Sequence, residues 1–335
     1  MKGWPLTREL VLAASMIMLL LAGIYGVTGN SPPIVVVESS SMMHDPDGQL
    51  GAIDAGDLVM VHSEDKRRIV TYAEATDQSN PFHGRMSHGL EGDVIVYSKN
   101  GEDATPIIHR AVMYARANLS ITPERTLNDE CGQGSYDAYQ HDERDGMLGT
   151  CVLTWDVPGT TIRNETSISW DFTEYRCDLS DNGAHAQYLK IINWNPGHQG
   201  YLTLGDNNNC NVDQGGRATA NTTGSGLSDS QGNTVTTVTE EWLEGVAGAE
   251  IPWFGAVKLM TMSQLSDDTP GTSQVPDKSW FSLMGTVFVL LVLPMAIEPL
   301  ANRLLRTSPE AIAHGNESLR QGRDALSDDE DEESE

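Results

Sequence analysis

Residues 34–44 read IVVVESSSMMH, a β-branched run that ends in three serines and two methionines. The run predicts a strand, and its end would hold a hydroxyl at the rim of a rigid sheet. Alone, such a string is ordinary strand-end chemistry, because serines also form turns. Two later stretches give it weight. Residues 107–112, IIHRAV, put His109 on a second apolar run; residues 202–214, LTLGDNNNCNVDQ, put Asp206 and Asp213 after a third. A serine, a histidine and an acid drawn from separate strands are the minimum set for nucleophilic catalysis near neutral pH.

The segments between them predict a mostly β fold. Gly56 to Val61 and Gly92 to Tyr97 repeat one pattern, a Gly-Asp turn followed by β-branched residues, and Ile107 to Tyr114 reads as a further strand. Two insertions interrupt the pattern, at 63–90 and 115–199. Loops as long as the second rarely lack structure of their own, so strands are expected inside it. Residues 219–233, rich in Gly, Ser, Thr and Asn, read as a loop. Strand character returns after Val235 and is expected to run through Ile251 to Val257, IPWFGAV. Trp253 and Phe254 there suit either a membrane interface or a buried core strand.

Two apolar runs bracket the rest. Leu10 to Thr28 follows Lys2 and Arg8, and Trp280 to Ile297 precedes Arg303 and Arg306. Each is close to the roughly 20 residues that cross a bilayer. Basic residues on the terminal side of both place the termini in the cytoplasm. The expected organisation is a cytoplasmic N-terminus 1–9, a transmembrane helix 10–28 and an extracytoplasmic domain 31–265. A linker 266–279, a second transmembrane helix 280–297 and a cytoplasmic acidic tail 298–335 complete it. A cleavable signal peptide is the alternative for the first run, and a buried helix for the second. Either alternative leaves a single-pass rather than a multi-pass protein of the cell membrane.

A net charge of -27 excludes a nucleic-acid-binding surface, which needs clustered Lys and Arg. Acid spread over the whole length fits solubility in saline surroundings. Cys131, Cys151, Cys177 and Cys210 all fall in the expected external segment, where disulfides form. Three pairings are open, and sequence proximity favours Cys131–Cys151 with Cys177–Cys210. Sequons at Asn118, Asn164 and Asn221 lie in the same segment. The run DNNNCNVD offers alternating oxygens but lacks the glycine and closing glutamate of a calcium loop. His62, His83, His88, His141, His185 and His198 have no metal-ligand spacing. No metal or cofactor is expected.

Taken in order, ESSSMM, AGDLVMV, EGDVIVY, IIHRAV, GDNNNCNVD and IPWFGAV resemble the boxes of type I signal peptidases, membrane-anchored serine peptidases of protein export. The resemblance covers Ile34 to Met262, and the pair His109-Arg110 places it with the archaeal and endoplasmic-reticulum kind, since bacterial members carry lysine there. It implies a signal-peptidase-like β catalytic domain with Ser41 as nucleophile and His109 as general base. Ser39 matches the serine that helps hold the oxyanion, and Asp206 and Asp213 match the two acids, one of which orients His109. Asp213 is the favoured one. Met42 is expected at a shallow substrate pocket of small and apolar side chains. Two departures stand out. His44 occupies the position where the family usually has proline, which makes it a residue easily mistaken for a catalytic one. Asp213 follows Asp206 by seven residues, one more than usual for this kind.

The function these features imply is a membrane-bound serine endopeptidase that removes signal peptides from secretory preproteins, cutting after small residues at positions -1 and -3. Membrane lipid and the protein translocation machinery are its expected partners. The alternative is a non-catalytic surface glycoprotein that uses a peptidase-like scaffold as a binding module. A self-cleaving regulator of related fold would use lysine and be soluble, against both His109 and the apolar runs.

Overall fold

The computed structural model describes residues 4–121, 151–177, 188–215, 226–263 and 271–306. The chain forms two compact units, 1–280 and 281–335. The described sheets are antiparallel throughout.

Helix α1 (Trp4–Thr28) opens the chain, and α4 (Asp277–Arg306) is the last described element. Both contain stretches long and apolar enough to cross a membrane, Thr7–Thr28 and Asp277–Met295. Met16, Leu19 and Leu20 of α1 and Phe281, Leu291 and Met295 of α4 are exposed, as expected of surfaces that face an apolar solvent rather than water. Pro294 and Pro299 lie inside α4, and membrane helices tolerate prolines better than soluble ones.

Between the helices a seven-stranded sheet carries the fold. Its strands are β1 (Ile34–Val36), β2 (Leu58–His62), β5 (Val94–Tyr97), β6 (Ile107–Ile121), β7 (Cys151–Asp156), β10 (Gly200–Leu204) and β11 (Leu243–Ile251). The order is β1-β2-β11-β5-β6-β10, with β7 also paired to β6. All four strands predicted in the first part of the chain begin within two residues of their expected starts. β6 is longer than expected and runs on into the second insertion, where it pairs with β7. That insertion also holds the hairpin β8 (Ile168–Arg176) and β9 (Tyr188–Trp194).

The first insertion holds a short helix, α2 (Tyr72–Thr76), and a tight hairpin, β3 (Met86–Ser87) with β4 (Leu90–Glu91). Thr71 and Glu74 start α2 as a reciprocal capping box: the Thr71 hydroxyl accepts from the Glu74 amide, and the Glu74 carboxylate accepts from the Thr71 amide. The polar sequence there had no periodicity because these elements are too short to show one.

The expected strand over residues 251–257 is corrected. β11 ends at Ile251, the chain turns at Trp253 with φ +68°, and α3 (Gly255–Met262) follows. The Asp57 carboxylate accepts from the Trp253 amide at 2.8 Å and fixes the turn. Gly255 then passes so close to the backbone that a Cβ would lie 2.7 Å from the Asp57 carbonyl oxygen. An apolar run this short does not distinguish strand from helix, and here a left-handed residue decides it. Trp253 and Phe254 are half-buried, neither fully exposed nor core.

Cys177 and Cys210 form a disulfide, the pairing that proximity favoured. The pairing expected of Cys131, the loop from 219 to 225, the first part of the linker (266–270) and the acidic tail beyond 306 lie outside the described residues.

Asp54 and Asp57 form a buried acidic pair beneath the turn into β2. Burial pushes Asp54 up to about 7 and Asp57 to about 6, against the opposing backbone hydrogen bonds that each accepts. Raised folded-state values mean that both acids favour the fold below their unfolded range near ~4. That contribution is lost as pH rises through about 6 to 7. Asp54→Asn, which cannot ionise, should therefore melt at a higher temperature relative to wild type at pH ~8 than at pH ~5. An equal difference at both pH values, read by thermal denaturation, would refute the buried-acid penalty.

Candidate active site

β1 hydrogen bonds to β2 on one side and runs into the serine cluster. Val37 extends the pairing, donating to the Asp57 carbonyl at 3.0 Å and accepting from the Gly56 amide at 2.9 Å. The chain then turns, with the Met43 amide bonded to the Ser40 carbonyl at 3.2 Å. Met42 anchors that turn from below. It is 1 % exposed and packs with Val37, Ile53, Val59 and Val94. This differs from the expected pocket-lining role: the Met42 side chain supports the nucleophile turn and offers no surface to a ligand.

His109 sits on β6 opposite Ile95 of β5. Its Nε2 lies 2.8 Å from Ser41 Oγ, and its Nδ1 lies 2.7 Å from Asp213 Oδ2. An ionised carboxylate only accepts, so the ring proton belongs on Nδ1 and Nε2 is left to accept from the Ser41 hydroxyl. Ser39 Oγ is 3.1 Å from Ser41 Oγ, as alternation along an extended segment allows. The backbone amide of Ser40, between them, donates to Gln274 Oε1 at 2.8 Å.

The two acids have different surroundings. Asp213 Oδ2 also accepts from the Tyr97 hydroxyl at 2.7 Å and the Thr203 hydroxyl at 2.6 Å. Gln214 steadies Thr203 through two hydrogen bonds, 2.9 Å each. Burial, then the Asp213 charge, pushes the Tyr97 phenol well above its ordinary value, so it remains a donor. Asp206 meets the neighbouring residue of β6 instead. Arg110 grips it bidentately, Nε to Oδ1 at 2.8 Å and Nη2 to Oδ2 at 2.6 Å. His44 Nε2 at 2.9 Å and the Tyr175 hydroxyl at 3.0 Å complete its shell. Burial alone would raise the Asp206 carboxyl, but the Arg110 guanidinium and His44 hold it well below the carboxylate range.

Of the residues singled out in the sequence, the structure therefore brings together Ser39, Ser41, His109 and Asp213. It sets Asp206 and His44 beside them in a separate ion-paired cluster. Four residues had no signal strong enough to be singled out. Tyr97 and Thr203 are strand residues like any others in the sequence, and Arg110 stood out only as the neighbour of His109. Gly205 is the most informative. A Cβ there would stand 2.7 Å from the Ser41 carbonyl oxygen and 2.9 Å from His109 Nε2, so only glycine lets the acid loop pass under the Ser-His pair. Its place in a Gly-Asp turn hid that role. Among the described residues no group of three or more His, Cys, Asp or Glu side chains is arranged to hold a metal ion.

Three substitutions separate these roles. Asp213→Asn should lower the rate of any Ser41-dependent reaction by around 10⁴-fold, as loss of an orienting carboxylate does. Asp206→Asn should destabilise the fold, by about 3–5 kcal/mol, since it breaks a buried ion pair, and should lower the rate far less than Asp213→Asn does. Gly205→Ala should abolish turnover. Rates and melting temperatures of the purified variants test this, and an Asp206→Asn protein that melts like wild type would refute the division.

Comparison of the chain with protein families, with curated proteins and with solved structures finds no match.

Proposed function

We propose that this protein is a membrane-associated serine endopeptidase that removes signal peptides from secretory preproteins. The observation that carries the reading is the unbroken relay from Ser41 through His109 to Asp213, at 2.8 and 2.7 Å. In this reading Ser41 attacks the scissile carbonyl while His109 Nε2 takes its proton. Asp213 holds the ring in the right tautomer and stabilises the imidazolium. The tetrahedral oxyanion is held by the Ser39 hydroxyl together with the Ser41 amide. Collapse breaks the peptide bond, and His109 returns the proton to the departing amine. Water, deprotonated by the same imidazole, then releases the acyl group and restores Ser41.

Substrate geometry supports a peptide rather than a small molecule. β1 stands at the end of the strand order, paired to β2 alone among the described strands, and leads straight to Ser41. A free sheet edge accepts an extended chain as an added strand, which would lay the scissile bond beside the nucleophile. Helix α1, which ends at Thr28 shortly before β1 begins at Ile34, would keep that edge close to a bilayer, where a signal peptide emerges. Specificity for small residues at -1 and -3 follows from the family resemblance. Extracytoplasmic placement of the domain follows from the basic residues flanking both apolar runs.

Cleavage of a preprotein by the purified chain in detergent tests the reading. Wild type should release the mature protein with a defined N-terminus, Ser41→Ala should release none, and Ser40→Ala should retain activity. An inactive Ser40→Ala beside an active Ser41→Ala would move the nucleophile. No cleavage by wild type would favour the binding-module alternative.

A further inference from the structure

The second insertion reaches into the site. The hairpin β8–β9 buries Phe172, Tyr175, Leu189 and Ile191 in one apolar cluster with Val112 of β6 and Leu204 of β10. Two features go beyond packing. The Tyr175 hydroxyl donates to Asp206 Oδ1 at 3.0 Å from a side chain that is 1 % exposed. Two residues further on, Cys177 is bonded to Cys210, which lies between Asp206 and Asp213.

The loop that receives this crosslink is demanding to hold. Asn209 and Cys210 take left-handed conformations, φ +50° and +57°, which cost side-chain-bearing residues conformational energy. The same loop carries the acid that orients His109. It places Gly205 under the Ser-His pair, and its Asn207 amide donates to the Ser41 carbonyl oxygen at 2.8 Å. A shift in this loop therefore moves the nucleophile, the base and the acid relative to one another. Both half-cystines are buried, at 0 % and 2 % exposure, so the bond is shielded from external thiols and serves as a permanent clamp rather than a redox switch.

We propose that Tyr175 and the Cys177–Cys210 disulfide are positioning elements of the catalytic site, which makes the β8–β9 hairpin a working part of the peptidase. Tyr175 acts through Asp206 and the backbone of Gly205 and Asn207; the disulfide acts on the middle of the same loop. The inference rests on the peptidase reading.

The test measures kcat, KM and melting temperature for the full-length protein in detergent on a signal-peptide-bearing preprotein. Tyr175→Phe, which removes one oxygen, should lower kcat roughly tenfold with KM within about twofold, because alignment and not binding is lost. The double variant Cys177→Ala/Cys210→Ala should lower kcat by around 10²-fold. Adding His44→Ala to Tyr175→Phe should cost less than the product of the single effects, since both act on Asp206. Wild-type kcat in Tyr175→Phe, or a lower melting temperature with unchanged kcat, would overturn the inference. In that case an active wild type and a dead Ser41→Ala would leave the peptidase reading standing. Absence of cleavage by wild type would remove both. If the cysteine variant does not fold, Tyr175→Phe alone decides.

Discussion

Arg110 and Asp206 are both fully buried, and much of the site's architecture depends on satisfying them together. Two charges taken out of water destabilise a fold unless each is paired and its remaining hydrogen-bonding capacity is used. The guanidinium directs two donors to Asp206 and turns Nη1 to the carbonyls of Ser87 and Gly92 at 3.0 and 2.8 Å. Asp206 takes further donors from His44 and Tyr175. One ion pair thus ties β6 to the β3–β4 hairpin, the acid loop, the nucleophile turn and the second insertion. His44 fits here as a link between the serine turn and Asp206.

The placement also explains why two aspartates seven residues apart serve different ends. His109 and Arg110 are adjacent on a strand, so their side chains leave opposite faces. Each recruits one acid. Asp206 has its charge cancelled by a cation in direct contact. Among the described residues, the side-chain donors to Asp213 besides His109 are the neutral hydroxyls of Tyr97 and Thr203. In the proposed reaction its charge would be available to an imidazolium, while the hydroxyls fix its direction. A cation beside Asp213 would weaken that effect, and the structure keeps the nearest buried one on the far side of β6.

The sheet was legible because its strands are short β-branched runs set off by Gly-Asp turns, and the Ser, His and Asp candidates lie at strand ends or on a strand with a clear pattern. What escaped has physical reasons. The segment Ile251 to Val257 is apolar enough for either structure, and the left-handed turn at Trp253 depends on a carboxylate almost two hundred positions earlier. The roles of Tyr97, Thr203 and Gly205 arise from register between strands, which residue types do not encode locally. Met42 was misread because proximity to the nucleophile in sequence does not reveal which way a side chain faces. The insertion gave no sign of its contact with the site, since Tyr175 and Cys177 meet Asp206 and Cys210 only in three dimensions.

The most direct measurement is the rate at which purified His109→Ala cleaves a preprotein, set beside wild type under the same conditions. With no other base within hydrogen-bonding distance of Ser41 Oγ among the described contacts, the rate should fall to that of Ser41→Ala. Cleavage by His109→Ala at the wild-type rate would contradict the relay and leave His44 as the base to examine next.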